Sequence, residues 1–366
     1  MRSFRPVARA AVAAVLLGGS VAAQESPAPQ PTPTPAPAAA PAPGQTANYF
    51  NPAISVIGNF LAVGGANPVE DLPSASLQES ELGLQAIVDP YARADFFISF
   101  TDEEVGVEEG FLTFTALPWD LLVKVGRAKV AFGRINTLHP HVWPWVDSPL
   151  TLDNLLGGKE GWKGDGISIA KLIPLGETFS ELTLHVMSGD GGPFAAPKRS
   201  DLAYNAHYRV FSDLSDSTNL DVGLSYGTGH NGVAADTTTE LDGLDLAFRW
   251  KPLREGSFRS AMVRGEFLQS RREQDGSAEK ADGWYLAADY QLAKRWFVGA
   301  RVESADRADE AAVRDTGAAA TLTFWPSEFS QLRTELRRRR YADEVTADEV
   351  FLQLQFMIGA HGAHPF

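Results

Sequence analysis

The residues best suited to chemistry are four of the seven histidines, which occur as two close pairs. One pair is His139-Pro140-His141, and the other is His361 with His364 near the C-terminus. Two neighbouring imidazoles can begin a zinc or copper site. The chain has no cysteine and no HExxH pattern. His139 and His141 are therefore candidate metal ligands, with ordinary polar loop positions as the alternative. No cofactor is predicted.

Charged and apolar residues alternate along residues 331–340. In a strand of this period, Leu332 and Leu336 share one face, while Arg333, Glu335 and Arg337 share the other. An arginine that faces lipid at mid-bilayer costs about 2–4 kcal/mol, so in a membrane strand the charged face must point inward. The alternative is a structural ladder in which these charges satisfy one another across strands.

The last stretch, 348–358, indicates what kind of element carries such charges. Its apolar and polar residues also alternate, over about ten residues, which is the length of a tilted strand that crosses a bilayer. Unpaired backbone groups in hydrocarbon cost several kcal/mol each, so this strand needs a neighbour on both edges. The sequence therefore predicts an all-β fold, a closed antiparallel transmembrane β-barrel.

Turn residues divide the chain after Asn51 into about sixteen alternating segments. Short turns on one side alternate with longer polar loops on the other, as in bacterial outer-membrane barrels. The predicted long loops include 64–75, 188–199, 227–237 and 304–313. The predicted strands lie near residues 53–62, 76–89, 91–101, 107–116, 120–129, 165–173, 178–188, 200–213, 217–229, 238–251, 257–270, 280–292, 294–304, 314–325, 328–340 and 348–358.

The same alternation places further charges of both signs inside the barrel. About sixteen strands leave room for a water-filled channel. The candidate pore-lining residues are Arg93, Lys124, His207, Arg209, Arg249, Arg264, Arg301, Arg333, Glu335 and Arg337. Thr183 and His185 also face inward together, but no convincing nucleophile set accompanies them, so an enzyme is not predicted.

One connection, 130–164, is much longer than the others and contains three tryptophans. Long loops of this composition are usually functional. It is the third external loop when the tight turns are placed in the periplasm, and we expect it to fold into the barrel and narrow the pore. The candidate constriction residues are His139, His141, Trp143, Trp145, Asp147 and Asp153.

The N-terminus predicts export. Arg2, Arg5 and Arg9 precede an apolar run at 10–17, and small residues at 21–23 suit cleavage, so residues 1–23 are predicted to be a signal peptide. Residues 24–48, rich in proline and alanine, are predicted to be a disordered periplasmic linker, and 49–366 the barrel. Losing the three arginines would take the net charge from -14 to -17. Such an acidic exported chain is a poor nucleic-acid binder.

The whole chain resembles Gram-negative outer-membrane porins. Locally, residues 124–134 (KVGRAKVAFGR) are similar to the "K-x-G-x-x-K-x-P-F-G" strand of the phosphate-selective porin O/P-like family, with Ala131 in place of the proline. No second motif aligns, so that family's phosphate-binding ladder is not carried over, and the acidic composition argues against anion selectivity. Phe366 resembles the terminal aromatic residue that barrel-assembly machinery recognises.

The resemblance implies an outer-membrane porin in which small hydrophilic solutes or ions diffuse through a constricted aqueous lumen. The implied partners are outer-membrane lipid and lipopolysaccharide, those solutes or ions, the barrel-assembly machinery and two further copies in a homotrimer. The alternatives are a TonB-dependent-type or metal-linked outer-membrane transporter without a full plug, and a structural outer-membrane tether.

Overall fold

The computed structural model of the chain describes residues 52–70, 72–101, 104–176, 178–342 and 345–359. The predicted signal peptide and linker, the pair His361 and His364, and the terminal Phe366 lie outside these described residues.

Sixteen antiparallel strands form a closed barrel in which each strand pairs with its neighbours in sequence. The first and last strands close the cylinder, with a register from Ser55 opposite Gly359 to Ala66 opposite Asp348. The predicted fold class is confirmed. The strands are β1 (Ala53–Ala66), β2 (Ala75–Asp89), β3 (Ala92–Phe100), β4 (Val105–Phe114), β5 (Leu121–Lys129), β6 (Lys163–Leu172), β7 (Phe179–Ser188), β8 (Leu202–Ser215), β9 (Thr218–His230), β10 (Thr238–Trp250), β11 (Ala261–Gln274), β12 (Ser277–Ala293), β13 (Trp296–Arg307), β14 (Glu310–Ser327), β15 (Ser330–Arg340) and β16 (Thr346–Gly359).

Short helical turns occur between the strands. One α-helix, α1 (Leu150–Leu155), and two 3₁₀ turns lie in the long connection between β5 and β6. Within the described ranges, no helix combines the length and the apolar character needed to cross a bilayer.

Alternation along the strands separates an apolar outer surface from a polar inner one. In β16, Leu352 is 54% exposed and Ile358 is 62% exposed, while Glu349 and Gln353 are buried. Strand β15 repeats the pattern, with exposed Leu336 between buried charged neighbours. Apolar residues face outward because a lipid-exposed charge is costly, whereas inward side chains can meet water or polar groups.

The interior differs from the wholly wet lumen that the sequence indicates. Phe132, Trp145 and Trp162 of the β5–β6 connection are 0–1% exposed, and they belong to one apolar cluster that includes inward-facing Leu241 and Leu268. Burying large aromatic side chains is favourable at about 25 cal/mol per Å² of apolar area. Part of the barrel is therefore filled by an apolar core to which the connection contributes large aromatic side chains.

The predicted asymmetry of connections is only partly correct. The expected long loop at 304–313 is wrong, because β13 continues to Arg307 and β14 begins at Glu310. Arg314 pairs with Asp306 across this hairpin at 2.6 Å, and Arg307 pairs with Asp315 at 3.0 Å. These cross-strand ion pairs let a polar segment continue as paired strand. On the opposite end, residues 251–260 form a longer connection than a tight turn.

The backbone conformation at Gly126, in the porin-like motif, favours glycine. Gly126 has φ +140°, and a Cβ at this position would lie 2.2 Å from the carbonyl oxygen of Gly110 on β4. L-residues rarely adopt this conformation, and the neighbouring backbone cannot move away without breaking the β4–β5 pairing.

Replacing Gly126 by Ala is expected to destabilise the barrel by about 1–3 kcal/mol, since the new side chain meets both backbone strain and a steric overlap. Thermal unfolding of the detergent-purified protein, followed by heat-modifiable migration on gels, measures the effect. Gly64→Ala is the matched control, because nothing lies within 4 Å of a Cβ there. Equal melting temperatures for the two variants would contradict the argument.

Candidate functional site

The long connection, residues 130–162, contacts the inward-facing side chains of strands far apart around the barrel. Near its start, the N–H of Gly133 donates to Ser225 on β9 at 2.9 Å, and the N–H of Ile135 donates to Glu266 on β11 at 2.7 Å. The Arg134 guanidinium lies 2.7 Å from Asp221. These contacts anchor the first turn of the connection to the β9–β11 wall.

A second part of the connection runs alongside β15. Arg333 donates from Nη1 to the carbonyl oxygens of Trp143 and Trp145, at 2.9 Å each. The N–H of Val146 donates to Glu335 at 2.7 Å. The inward side chains of β15 therefore bind the backbone of the connection, residue by residue.

Asp147 is the charge at the centre of this contact. Its carboxylate lies 2.6 Å from Arg301, 2.8 Å from Arg337 and 2.9 Å from Arg339. Burial opposes the charged form, but Arg301, Arg339 and Arg337 outweigh it and hold the pKa of Asp147 well below its usual range. Arg337 also pairs with Glu349 of β16. The arginines of β15 thus find partners in the connection and on β16.

Helix α1 completes the contact on the β11–β14 side of the barrel. The N–H of Leu150 donates to Glu303 at 3.0 Å, and Asp153 lies 3.4 Å from Arg339. Burial raises the pKa of Asp153 to about 6, against the opposing effects of Arg339 and of a hydrogen bond from Ser148.

His139 lies among carboxylates of β2 and β4. Its Nδ1 is 2.8 Å from Glu81 and 2.9 Å from Glu108, and its Nε2 is 2.7 Å from Glu109. His141 approaches the same Glu81 oxygen at 3.5 Å. Burial disfavours the imidazolium of His139, but hydrogen bonds to Glu108 and Glu109 and the negative charge of Glu81 more than offset it and hold the pKa of His139 well above its usual value.

The sequence did not identify these three glutamates. In the β3–β4 pairing, Phe97 lies opposite Glu109 and Ile98 lies opposite Val107, so Glu108 is the extra residue of a β-bulge. A bulge breaks strict alternation. Both Glu108 and Glu109 are buried as a result, whereas an unbroken strand would place them on opposite faces. Adjacent acidic residues in a membrane strand are the signal that such a bulge leaves.

The other candidate pore-lining residues lie elsewhere on the inner wall. Several meet an aspartate, at 3.0 Å for Arg93 with Asp95, 2.9 Å for Arg209 with Asp221, 2.7 Å for Arg264 with Asp289 and 3.6 Å for His207 with Asp245. The Lys124 ammonium lies 4.5 Å from the centre of the Phe111 ring. Arg249 lines a cavity at the end of the barrel that carries the β12–β13 turn. They are spread around the barrel and do not form one cluster.

Two cavities approach each other from opposite ends of the barrel. We call the end with the β2–β3 and β12–β13 turns the turn end, and the end with the β5–β6 connection the loop end. The turn-end cavity has a volume of about 790 Å³ and the loop-end cavity about 370 Å³. Residues 141–144 line the first and residues 146–148 line the second, and Trp143 lines both. The connection therefore forms a wall shared by the two cavities.

The two cavities carry opposite charge. Cationic side chains outnumber acidic ones at the turn end, and the reverse holds at the loop end. The turn-end charges are Arg249, Lys251, Arg264, Lys294, Arg295 and Arg333 with Asp289 and Glu328. The loop-end charges are Glu70, Glu104, Glu108, Asp147 and Glu160 with Lys159, Lys163 and Arg337.

Comparison with known proteins finds no matching family model. A protein from Aquifex aeolicus (strain VF5) described as uncharacterized is 28% identical over 335 residues, which cover 80% of this chain and 70% of that protein. Among solved structures, the anion-selective porin from Comamonas acidovorans has 11% identity and a TM-score of 0.58, covering 84% of this chain and 100% of that chain. The outer membrane channel DcaP of Acinetobacter baumannii has 12% identity and a TM-score of 0.57, covering 84% and 96%.

At these identities the structural likeness establishes the fold. The fold is that of bacterial outer-membrane barrels, and the lipid-facing surface is apolar along the strands. A closed barrel with such a surface is located in the outer membrane.

Replacing Asp147 by Asn is expected to lower stability by about 3–5 kcal/mol, because buried arginines lose their shared counter-charge. Thermal unfolding at neutral pH and limited proteolysis of the connection measure the change. Since the folded-state pKa is depressed, the contribution of Asp147 is present at neutral pH and is lost as pH falls below about 4. The difference from the wild type should shrink over that range.

Asp165→Asn is the matched control for this substitution. Asp165 pairs with Arg127 at 2.8 Å, but these side chains are 60% and 43% exposed. Exposed pairs contribute about 0–1 kcal/mol. If both substitutions had equally small effects, Asp147 would not be the residue that holds the connection in place.

Proposed function

We propose that the protein is an outer-membrane porin through which small hydrophilic solutes or ions diffuse passively. The observation that carries the proposal is the pair of charged cavities entering a closed barrel from its two ends and meeting at Trp143. A cavity at each end with one shared wall is suited to a channel that is narrowed at a single place.

Residues 139–148 of the connection are the proposed constriction. They are held by side chains from several strands, including Arg333 and Glu335 on β15 and Glu81 on β2. A segment fixed at both walls keeps the opening at a constant size, and the charges around it select solutes by size and charge. Trp143 is 3% exposed and forms the part common to both cavities.

The turn-end cavity supports a local preference for anions, although the chain as a whole is acidic. Fields in a pore depend on the charges nearest the path, since the Debye length is about 10 Å at 0.1 M salt. Six cationic side chains face two acidic ones around that cavity. The Comamonas acidovorans porin of the same fold is described as anion-selective. With the tight turns in the periplasm, anions would concentrate at the periplasmic side of the constriction.

The expectations that the protein is not an enzyme and that it forms a homotrimer remain predictions, as do its contacts with lipopolysaccharide and the assembly machinery. One observation favours a metal-linked role, namely the carboxylate cluster around His139 and His141.

Replacing Trp143 by Ala is expected to raise single-channel conductance in planar bilayers, because the wall shared by the two cavities loses its largest side chain. Trp284→Ala is the control, since Trp284 is 38% exposed on the outer surface of β12. Stable channels with unchanged conductance in the Trp143 variant would refute the constriction assignment, and the absence of any channel in the wild type would refute the porin.

Replacing Arg249 and Arg295 together by Ser is expected to shift the reversal potential in a salt gradient towards cations and to reduce the dependence of current on voltage polarity. The wild-type asymmetry should itself weaken as salt rises, because screening shortens the reach of the charges. Arg338→Ser removes an arginine that is 70% exposed on the outer surface beside Asp348, and it should leave the reversal potential unchanged. Identical shifts in both variants would contradict the assignment.

A further inference from the structure

Two histidines of the connection meet carboxylates of the barrel wall at one buried place. His139 and His141 come from the connection, Glu81 from β2, and Glu108 and Glu109 from β4. Glu81, Glu108 and His139 are 3%, 2% and 8% exposed. We call these five residues the His–Glu cluster. Their distances allow the cluster to be compared with metal sites of known geometry.

One ring nitrogen of His139 faces more acceptors than it can serve. Glu81 Oε2 lies 2.8 Å from Nδ1 and Glu108 Oε2 lies 2.9 Å from the same atom. A ring nitrogen carries at most one proton, and it is shared with Glu108. Glu81 Oε2 is buried without a hydrogen-bond partner. A buried carboxylate oxygen without a hydrogen bond is available to a bound cation.

The spacing of the possible ligand atoms fits a small divalent ion. Glu81, His139 and His141 each offer a ligand atom, and these atoms lie within 4.8 Å of one another. His141 Nδ1 is 3.5 Å from Glu81 Oε2. In a tetrahedral site with bonds of about 2.0–2.2 Å, ligand atoms are separated by about 3.3–3.6 Å. Small side-chain shifts would bring the cluster to that geometry, with Glu108 as fourth ligand.

The second ring nitrogen of His139 has the carboxylate partner that is usual for a metal-binding histidine. Its Nε2 lies 2.7 Å from Glu109 Oε2. A histidine that binds a metal through one nitrogen usually donates its other N–H to a carboxylate, which fixes the ring and strengthens the ligand. Glu109 therefore has the position of an orienting partner, outside the ligand set.

We propose that the His–Glu cluster binds a divalent transition-metal ion of the zinc type, with Glu81, Glu108, His139 and His141 as ligands and Glu109 as the orienting partner. Imidazole nitrogens select zinc and similar ions over Mg²⁺ and Ca²⁺, which take oxygen ligands. Glu79 lies near Glu81 and Glu108.

The cluster lies between the two cavities, and this position gives an ion a route to the cluster. Glu108 lines the loop-end cavity and His141 lines the turn-end cavity. The ion would join the connection to β2 and β4. Metal binding at this cluster does not depend on whether the barrel conducts, so the two proposals can fail separately.

The test is calorimetric titration of Zn²⁺ into the untagged, EDTA-treated protein in detergent. We expect saturable binding of one ion per chain, unaffected by excess Mg²⁺. His141→Ala and Glu81→Gln should each weaken binding at least tenfold, and Glu109→Gln about 10–100-fold. Folding of each variant is checked by heat-modifiable migration.

Two controls separate this cluster from other histidines. His207→Ala removes another buried histidine of the inner wall, 3.6 Å from Asp245, and the double variant His361→Ala, His364→Ala removes the C-terminal pair. Both should bind Zn²⁺ as the wild type does. Absence of saturable binding, or loss of binding in the C-terminal variant alone, would overturn the proposal.

X-ray absorption of the zinc-loaded wild type tests the proposed ligands even if a ligand variant does not fold. The spectrum should show two imidazole ligands together with oxygen ligands. A shell of oxygen atoms alone would exclude His139 and His141 as ligands and overturn the assignment.

Discussion

The requirement that every backbone N–H and C=O in hydrocarbon be paired within the protein governs this structure. It is met because β1 pairs with β16 along almost their full lengths. Closure leaves no strand edge in lipid, and it also creates an enclosed interior. Once the interior is enclosed, each inward charge must meet water, a counter-charge or a hydrogen-bonding group. The outer surface, the inner charges and the folded connection all follow from that one condition.

The β5–β6 connection supplies partners for the charged side chains inside the barrel. Arg301 and Arg337 are almost fully buried, and a buried arginine without a partner is strongly destabilising. The connection brings Asp147 to these two side chains, and it brings the carbonyl oxygens of Trp143 and Trp145 to Arg333. It also brings aromatic residues that fill the remaining space. Polar pairing fixes its position, and apolar burial supplies much of the favourable free energy.

Much of the fold could be predicted from the sequence, because a side-chain period of two is imposed on every lipid-facing strand. The segments near 331–340 and 348–358 show it clearly, and the structure has sixteen strands close to the predicted positions. Features that break the period could not be predicted. The bulge at Glu108 places two consecutive glutamates inside, and the β13–β14 hairpin extends a polar segment as strand. The partners that Arg333 and Arg337 find in the connection could not be predicted either, since they lie nearly two hundred residues away.

The short segment 139–148 connects the separate features of the interior. Its first residues lie among the carboxylates of β2 and β4, its middle separates the cavities, and Asp147 meets the arginines of β13 and β15. Because the segment is bound at both ends, its centre can move only if one of these two sets of contacts changes. A ligand that binds more tightly to one position of the segment would shift the population towards that position by its difference in affinity, and by no more. The proposed opening and the proposed metal occupancy of the His–Glu cluster would therefore be linked, because the same ten residues take part in both proposals.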